Sequence, residues 1–158
     1  MDDGDEAAMS SLEEFDFDVR LKKMLQEKWG ISSLFPPQAE ALPNSLKGRN
    51  LMLAVPTASG KSLVAHITLA NRLIGDLKGQ RGIYIVPLKA LASEKYEELK
   101  EVCSSVGLKV GLAIGERSSE TSKVENSDVL VCTSEKLDSM LRSKPSLLDD
   151  IGMVVADE

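Results

Sequence analysis

A doubly wound α/β fold, with a mostly parallel sheet and helices on its faces, is predicted by two features of this sequence. Short apolar runs alternate with longer stretches of helical periodicity, and the runs are continuously hydrophobic instead of alternating with polar residues. The runs are NLMLAV (50–55), GIYIV (82–86), LKVGLAI (108–114), DVLVC (128–132) and IGMVVA (151–156). Strands covered on both faces read in this way, because neither face needs a polar row. The helical stretches between them are KSLVAHITLANRLIGD (61–76), KALASEKYEELKEVCSSV (89–106) and SEKLDSMLRS (134–143). Strand–helix–strand alternation of this kind builds parallel pairing through right-handed crossovers.

The chain has 158 residues and is 42% hydrophobic, enough for one domain with a real core. It contains no run of about 18 apolar residues, and its first residues are acidic, so the expectation is a soluble, cytoplasmic protein with neither a membrane span nor a signal peptide. The net charge of −6 is unevenly spread: residues 1–18 hold eight of the 25 acids and none of the 19 basic residues. That segment is predicted to be a solvated, disordered tail. The body that follows is near neutral, which neither demands nor excludes a phosphate-backbone partner. Cys103 and Cys132 have no CxxC spacing and fall in different predicted elements, which argues against a structural pair or a metal site. His66 is the single histidine, so multi-His zinc sites are excluded and it is read as an ordinary helix residue.

Residues 19–48 form a helical lead-in. Val19, Leu21, Met24, Leu25 and Trp29 recur at spacings near three and four, and Gly30 is placed as a C-terminal stop. A second helix starts at FPPQAEAL, where Pro36 or Pro37 suits a first turn; Pro43 is expected to kink or restart it, and Gly48 to end it.

The segment AVPTASGKS (54–62) lies between the first predicted strand and the first long helix. Binding a triphosphate takes inward backbone N–H groups, a helix N-terminus and a lysine that reaches the terminal phosphates. Ser59, Gly60 and Lys61 can supply the amides, Lys61 the charge, and Ser62 a hydroxyl for Mg²⁺. Val55 stands where the general phosphate-loop pattern has its first glycine, so the loop instead resembles the superfamily 2 helicase version, Pro-Thr-Gly-Ser-Gly-Lys-Thr. Thr57 keeps that pattern, whereas Ala58 replaces a glycine and Ser62 a threonine. An alanine there is strained if the backbone takes a positive φ.

Further segments join the loop: GISSLFPPQAEAL (30–42), VPLKALASEKYEELK (86–100), AIGERSS (113–119), CTSEKLDSMLR (132–142) and MVVADE (153–158). With them the chain resembles the Ski-like DExH helicases, most closely their archaeal DNA-repair branch, relatives of the helicase domain of DNA polymerase theta. The resemblance implies a RecA-like P-loop NTPase sheet, with residues 49–158 as the first ATP-binding lobe, breaking off at the second catalytic motif. Gln38 matches the Q motif, where its amide would read adenine N6 and N7 together. Pro87, Leu88 and Lys89 match motif Ia, and Thr133 and Ser134 match motif Ib; these positions would hold a nucleic-acid backbone. Glu116 departs from the family's Gly-Asp loop. MVVADE matches the Walker B strand and the start of a DExH box, delivering Asp157 to the carboxyl end of a strand for Mg²⁺ and Glu158 to the attacking water.

The resemblance implies ATP and Mg²⁺ as cofactors and single-stranded or forked DNA as partner, in a parent enzyme that unwinds 3′ to 5′. A second RecA-like lobe would be needed for turnover, so residues 1–158 alone are expected to bind nucleotide weakly. A lobe of a Ski-like RNA helicase shares nearly every motif, and a stand-alone nucleotide-binding module without hydrolysis is a further alternative.

Overall fold

A computed structural model describes residues 8–56, 60–115 and 124–158. They divide into two compact units, Met1–Thr68 and Leu69–Glu158, with the division falling inside one helix.

In the first unit, strand β1 (Ser10–Ser11) pairs antiparallel with β2 (Ser33–Leu34), and the Leu12 N–H donates to the Ser32 carbonyl at 3.0 Å. A 3-10 turn over Leu12–Glu14 follows, capped by the Ser11 hydroxyl. Leu12 is fully buried, and Phe15 and Phe17 nearly so. Residues 8–18 are therefore an integrated strap where a solvated tail was expected. Glu13, Glu14 and Asp16 are exposed while the three apolar side chains are buried, so these residues differ from the expectation; residues 1–7 of the expected tail lie outside the described residues. Helix α1 (Val19–Trp29) is capped by the Asp18 carboxylate, which accepts from the Arg20 N–H and guanidinium and is thereby held below the usual carboxylate range. Gly30 closes the helix at φ 64°, as the sequence predicts.

Helix α2 (Pro36–Leu46) runs unbroken through Pro43 instead of restarting there. Pro43 lies in the last turn, so it forfeits a single internal hydrogen bond. The run 50–55 forms no strand among the described residues; Leu51 is 45% exposed and Met52 93%. A strand exists through lateral hydrogen bonds, and apolar character without a paired neighbour does not make one. Helix α3 (Lys61–Ile74) follows Gly60 and straddles the two units.

The second unit holds β3 (Arg81–Val86), α4 (Lys89–Ser104), β4 (Val110–Ala113), β5 (Val129–Thr133), α5 (Ser134–Ser143) and β6 (Ile151–Ala156). The four strands are parallel, in the order β4-β5-β3-β6. Tyr84 is in register with Val131 on one side and Val155 on the other. The two inner strands are almost wholly buried, whereas β4 and β6, at the ends of the order, are only partly covered. Ile83, Leu130, Cys132 and Ala113 build the core on one face with Met140 of α5 and Val124. On the other face Gly82 lies against α3: a Cβ there would lie 2.6 Å from Leu69 Cδ2, so a larger residue would have to displace that side chain.

Arg81 braces the amino end of the sheet. Its buried guanidinium donates to the carbonyls of Ser127 (2.8 Å), Leu147 (2.8 Å) and Val124 (2.6 Å), tying two separate connections to β3. Val124 and Ser127 belong to the connection that leads into β5 and Leu147 to the one that leads into β6, and the three bonds satisfy a charged group that burial would otherwise penalise.

Leu12→Ala is expected to lower the unfolding free energy by about 2–5 kcal/mol in urea denaturation, as for other buried leucines. A solvated tail would instead leave stability unchanged. Burial pushes the thiols of Cys103 and Cys132 up to about 12, with the charge of Asp128 adding to the effect at Cys103. The folded state thus disfavours their thiolates. The stability these thiols lend holds below the ordinary value of 9.0 and falls as pH climbs toward about 12. Iodoacetamide near pH 8.5, about the ordinary thiol pKa, should label neither cysteine in the folded chain and both in denaturant.

Candidate functional site

The candidate residues of the first unit gather at the start of α3. Gln38 stands one turn into α2 and is 4% exposed. Its Oε1 accepts from the Phe35 N–H at 2.9 Å and its Nε2 donates to the Gly60 carbonyl at 2.9 Å. A primary amide has two donor hydrogens and two acceptor lone pairs. These two bonds use one of each, and one of each is left over, the pair that an adenine N7 and N6 amine require together. Sequence reasoning placed Gln38 at the base; its grip on Gly60 was not foreseen.

Gly60 has φ +67°, in the left-handed region, and a Cβ on it would lie 2.5 Å from Gln38 Nε2. Backbone conformation and the closeness of Gln38 both therefore require glycine. Lys61 opens α3 immediately afterwards, and Ser62 is its second residue; both are half-buried. The helix's early N–H groups and its positive end thus begin directly after Gly60. Thr57, Ala58 and Ser59, and Glu116 of the later loop, lie outside the described residues.

The candidates of the second unit line the carboxyl edge of the parallel sheet, the edge at which ligands bind in open α/β sheets. Val86, the last residue of β3, is in register with Thr133, the last of β5. Pro87 and Leu88 follow β3, and Lys89 begins α4 with Leu88 as its cap residue, 61% exposed. Thr133 caps α5, its Oγ1 accepting from the Lys136 N–H at 3.2 Å, and Ser134 is the first helical residue. The motif Ia and motif Ib segments are thus adjacent, each presenting a helix N-terminus at the same edge.

Asp157 and Glu158 leave β6 at that edge. The Asp157 N–H extends the ladder by donating to the Ile85 carbonyl at 2.9 Å, and the residue is only 9% exposed, whereas Glu158 is open to solvent. Because Tyr84 is in register with Val155, a residue two positions beyond Val155 points to the Tyr84 face. The Tyr84 hydroxyl, fully buried, donates to Asp157 Oδ2 at 2.5 Å. Sequence reasoning passed over Tyr84 because GIYIV reads as an apolar run; its hydroxyl, the one polar group in that run, was the available signal. Within the first unit, Gly60 and the start of α3 suit phosphate and Gln38 suits a base edge; within the second, Asp157 supplies a nearly buried carboxylate of the kind that suits a divalent cation.

Gly60→Ala is expected to destabilise the chain by about 1–2 kcal/mol through the left-handed backbone alone, with a further loss from displacing Gln38. Urea denaturation at equal stability to the parent would show that neither constraint operates.

Comparison with known proteins places the chain in a family. The family model described as "DEAD/DEAH box helicase" matches residues 35–158. An ATP-dependent DNA helicase Hel308 of Thermococcus kodakarensis is 46% identical over 148 residues, covering 93% of this chain and 13% of that protein. Its namesake from Pyrococcus horikoshii is 45% identical over 148 residues, with 93% and 20% covered. The chain thus spans a fifth or less of the length of these relatives. Among solved structures, the DUF1998 helicase MrfA bound to DNA and AMPPNP superposes with a TM-score of 0.79 at 23% identity, over 97% of this chain and 22% of that one. A hypothetical ATP-dependent RNA helicase from Sulfolobus tokodaii gives 0.75 at 20% identity, over 89% and 41%. Both likenesses support the α/β RecA-like fold that the sequence predicts. By the extent and placement of the family match, the chain belongs to the DEAD/DEAH box helicases.

Proposed function

We propose that this chain is the ATP-binding lobe of an ATP-dependent 3′–5′ DNA helicase acting in DNA repair or replication restart, with residues 49–158 forming the lobe proper and 19–48 its lead-in. The observation that carries this reading is the Gln38–Gly60–Lys61 arrangement. It joins a base-reading amide, a left-handed glycine and a lysine at a helix N-terminus in one stretch of the first unit. DNA as the substrate, and the cytoplasm as the location, rest on the likeness to the archaeal DNA helicases.

Each residue then has a role. Gln38 reads the adenine edge with its remaining donor and acceptor. Ser59, Gly60 and Lys61 would supply backbone amides to the phosphates, with Thr57 and Ala58 as further nucleotide-binding positions of the same loop, and Lys61 would neutralise the phosphate charge. By the family resemblance Ser62 and Asp157 would hold Mg²⁺, which would supply charge neutralisation to the transferred phosphate. Glu158 orients the attacking water and accepts its proton. Pro87, Leu88, Lys89, Thr133 and Ser134 hold the DNA backbone through helix N-termini and the Lys89 ammonium. A second RecA-like lobe supplies the remaining catalytic groups.

In the chain itself, Lys61→Ala is expected to abolish binding of a fluorescent ATP analogue, with negligible hydrolysis in either form. In a protein that carries this lobe with its second one, unwinding of 3′-tailed DNA duplexes should exceed that of matched RNA duplexes and vanish in Lys61→Ala. Preference for RNA would defeat the DNA assignment, and nucleotide binding without turnover in the two-lobe protein would favour a regulatory module.

A further inference from the structure

Asp157 ends β6 with its side chain on the same face of the sheet as Tyr84, because Tyr84 is in register with Val155 and side chains alternate along a strand. Tyr84 is the middle of a strand paired on both sides, and its ring is completely buried. A side chain so placed has little freedom, so its hydroxyl is aimed by the sheet itself. It donates to Asp157 Oδ2 at 2.5 Å.

We propose that Tyr84 is a positioning residue for the divalent cation of the nucleotide, its hydroxyl fixing the rotation of the Asp157 carboxylate. This rests on the reading of Asp157 as the metal-side carboxylate. The second layer of groups around a metal site acts in this way generally, orienting the ligand and tuning its basicity, and its loss weakens metal affinity by about 10–100-fold. Tyr84 is suited to it because the hydroxyl satisfies one carboxylate oxygen from inside the sheet, where no solvent competes. Phenylalanine would fill the same space and leave Oδ2 without that donor.

The test compares the parent chain with Tyr84→Phe and Asp157→Asn, reading the affinity of a fluorescent ATP analogue in Mg²⁺ and in EDTA, and the affinity for Mn²⁺ by electron paramagnetic resonance with the analogue present. Tyr84→Phe should weaken Mn²⁺ affinity by about 10-fold or more and shrink the Mg²⁺-dependent gain in nucleotide affinity, leaving binding in EDTA unchanged. A purely structural role would lower both affinities together, and Tyr84→Phe binding Mn²⁺ like the parent while Asp157→Asn does not would overturn the proposal alone. If Asp157→Asn itself leaves Mg²⁺ dependence intact, the reading of Asp157 fails and the proposal with it.

A second measurement needs no change of shape. Tyr84 and Tyr96 are the two tyrosines of the chain, so 3-fluorotyrosine in a Tyr96→Phe background gives one fluorine resonance, from position 84. That resonance should move when Mg²⁺ and nucleotide are added together, and stay still in Asp157→Asn. A resonance indifferent to Mg²⁺ in the parent background would overturn the proposal.

Discussion

Strand β3 is hydrogen-bonded in parallel on both edges, to β5 and to β6, and this double pairing sets the position of every candidate residue in the second unit. Parallel ladders put all carboxyl ends at one edge of the sheet. Once Val86 is matched with Thr133, and Ile85 with Ala156, the residues that follow each strand are brought together without any further contact. Lys89, Thr133, Ser134 and Asp157 owe their neighbourhood to this register. A slip by one residue would turn Asp157 to the face of Ile83 and Ile85, among the apolar core. At the opposite end, the Arg81 guanidinium pins the connections that lead into β5 and β6, so the register is held from the amino side as well.

Much of the fold was legible because burial on both faces leaves an unmistakable pattern. GIYIV and DVLVC read as inner strands, and they are the two most deeply covered. The same pattern misleads at 50–55, where apolar composition speaks for burial but says nothing about lateral pairing. The opposite error occurs at residues 8–18. The eight acids of residues 1–18 suggest a solvated tail, yet Leu12, Phe15 and Phe17 bury their side chains in the first unit. A threshold of average charge hides three well-spaced side chains.

The site was legible in its residue types and less so in its bonds. A lysine after a glycine at a helix start, and an acidic pair after an apolar strand, declare their chemistry by spacing. The link from Gln38 to Gly60 could not be read this way, since it joins residues 22 apart through a side chain whose sequence signal suggests only a base contact. Tyr84 was hidden for a related reason: aromatic residues are counted as apolar when strands are sought, and the hydroxyl is lost in that count. The positions that sequence patterns miss are those where one group serves both packing and polar contact.

The outer edge of β6 has no paired strand among the described residues, and Val154 on that strand is 58% exposed. An open edge of this length, apolar and free of lysine or proline, is a template for any other extended segment. In a concentrated solution of the isolated chain that template meets copies of itself. The strand that delivers Asp157 is therefore also the place where self-association would begin, and a charged residue on its exposed positions would be the means of keeping the chain in solution.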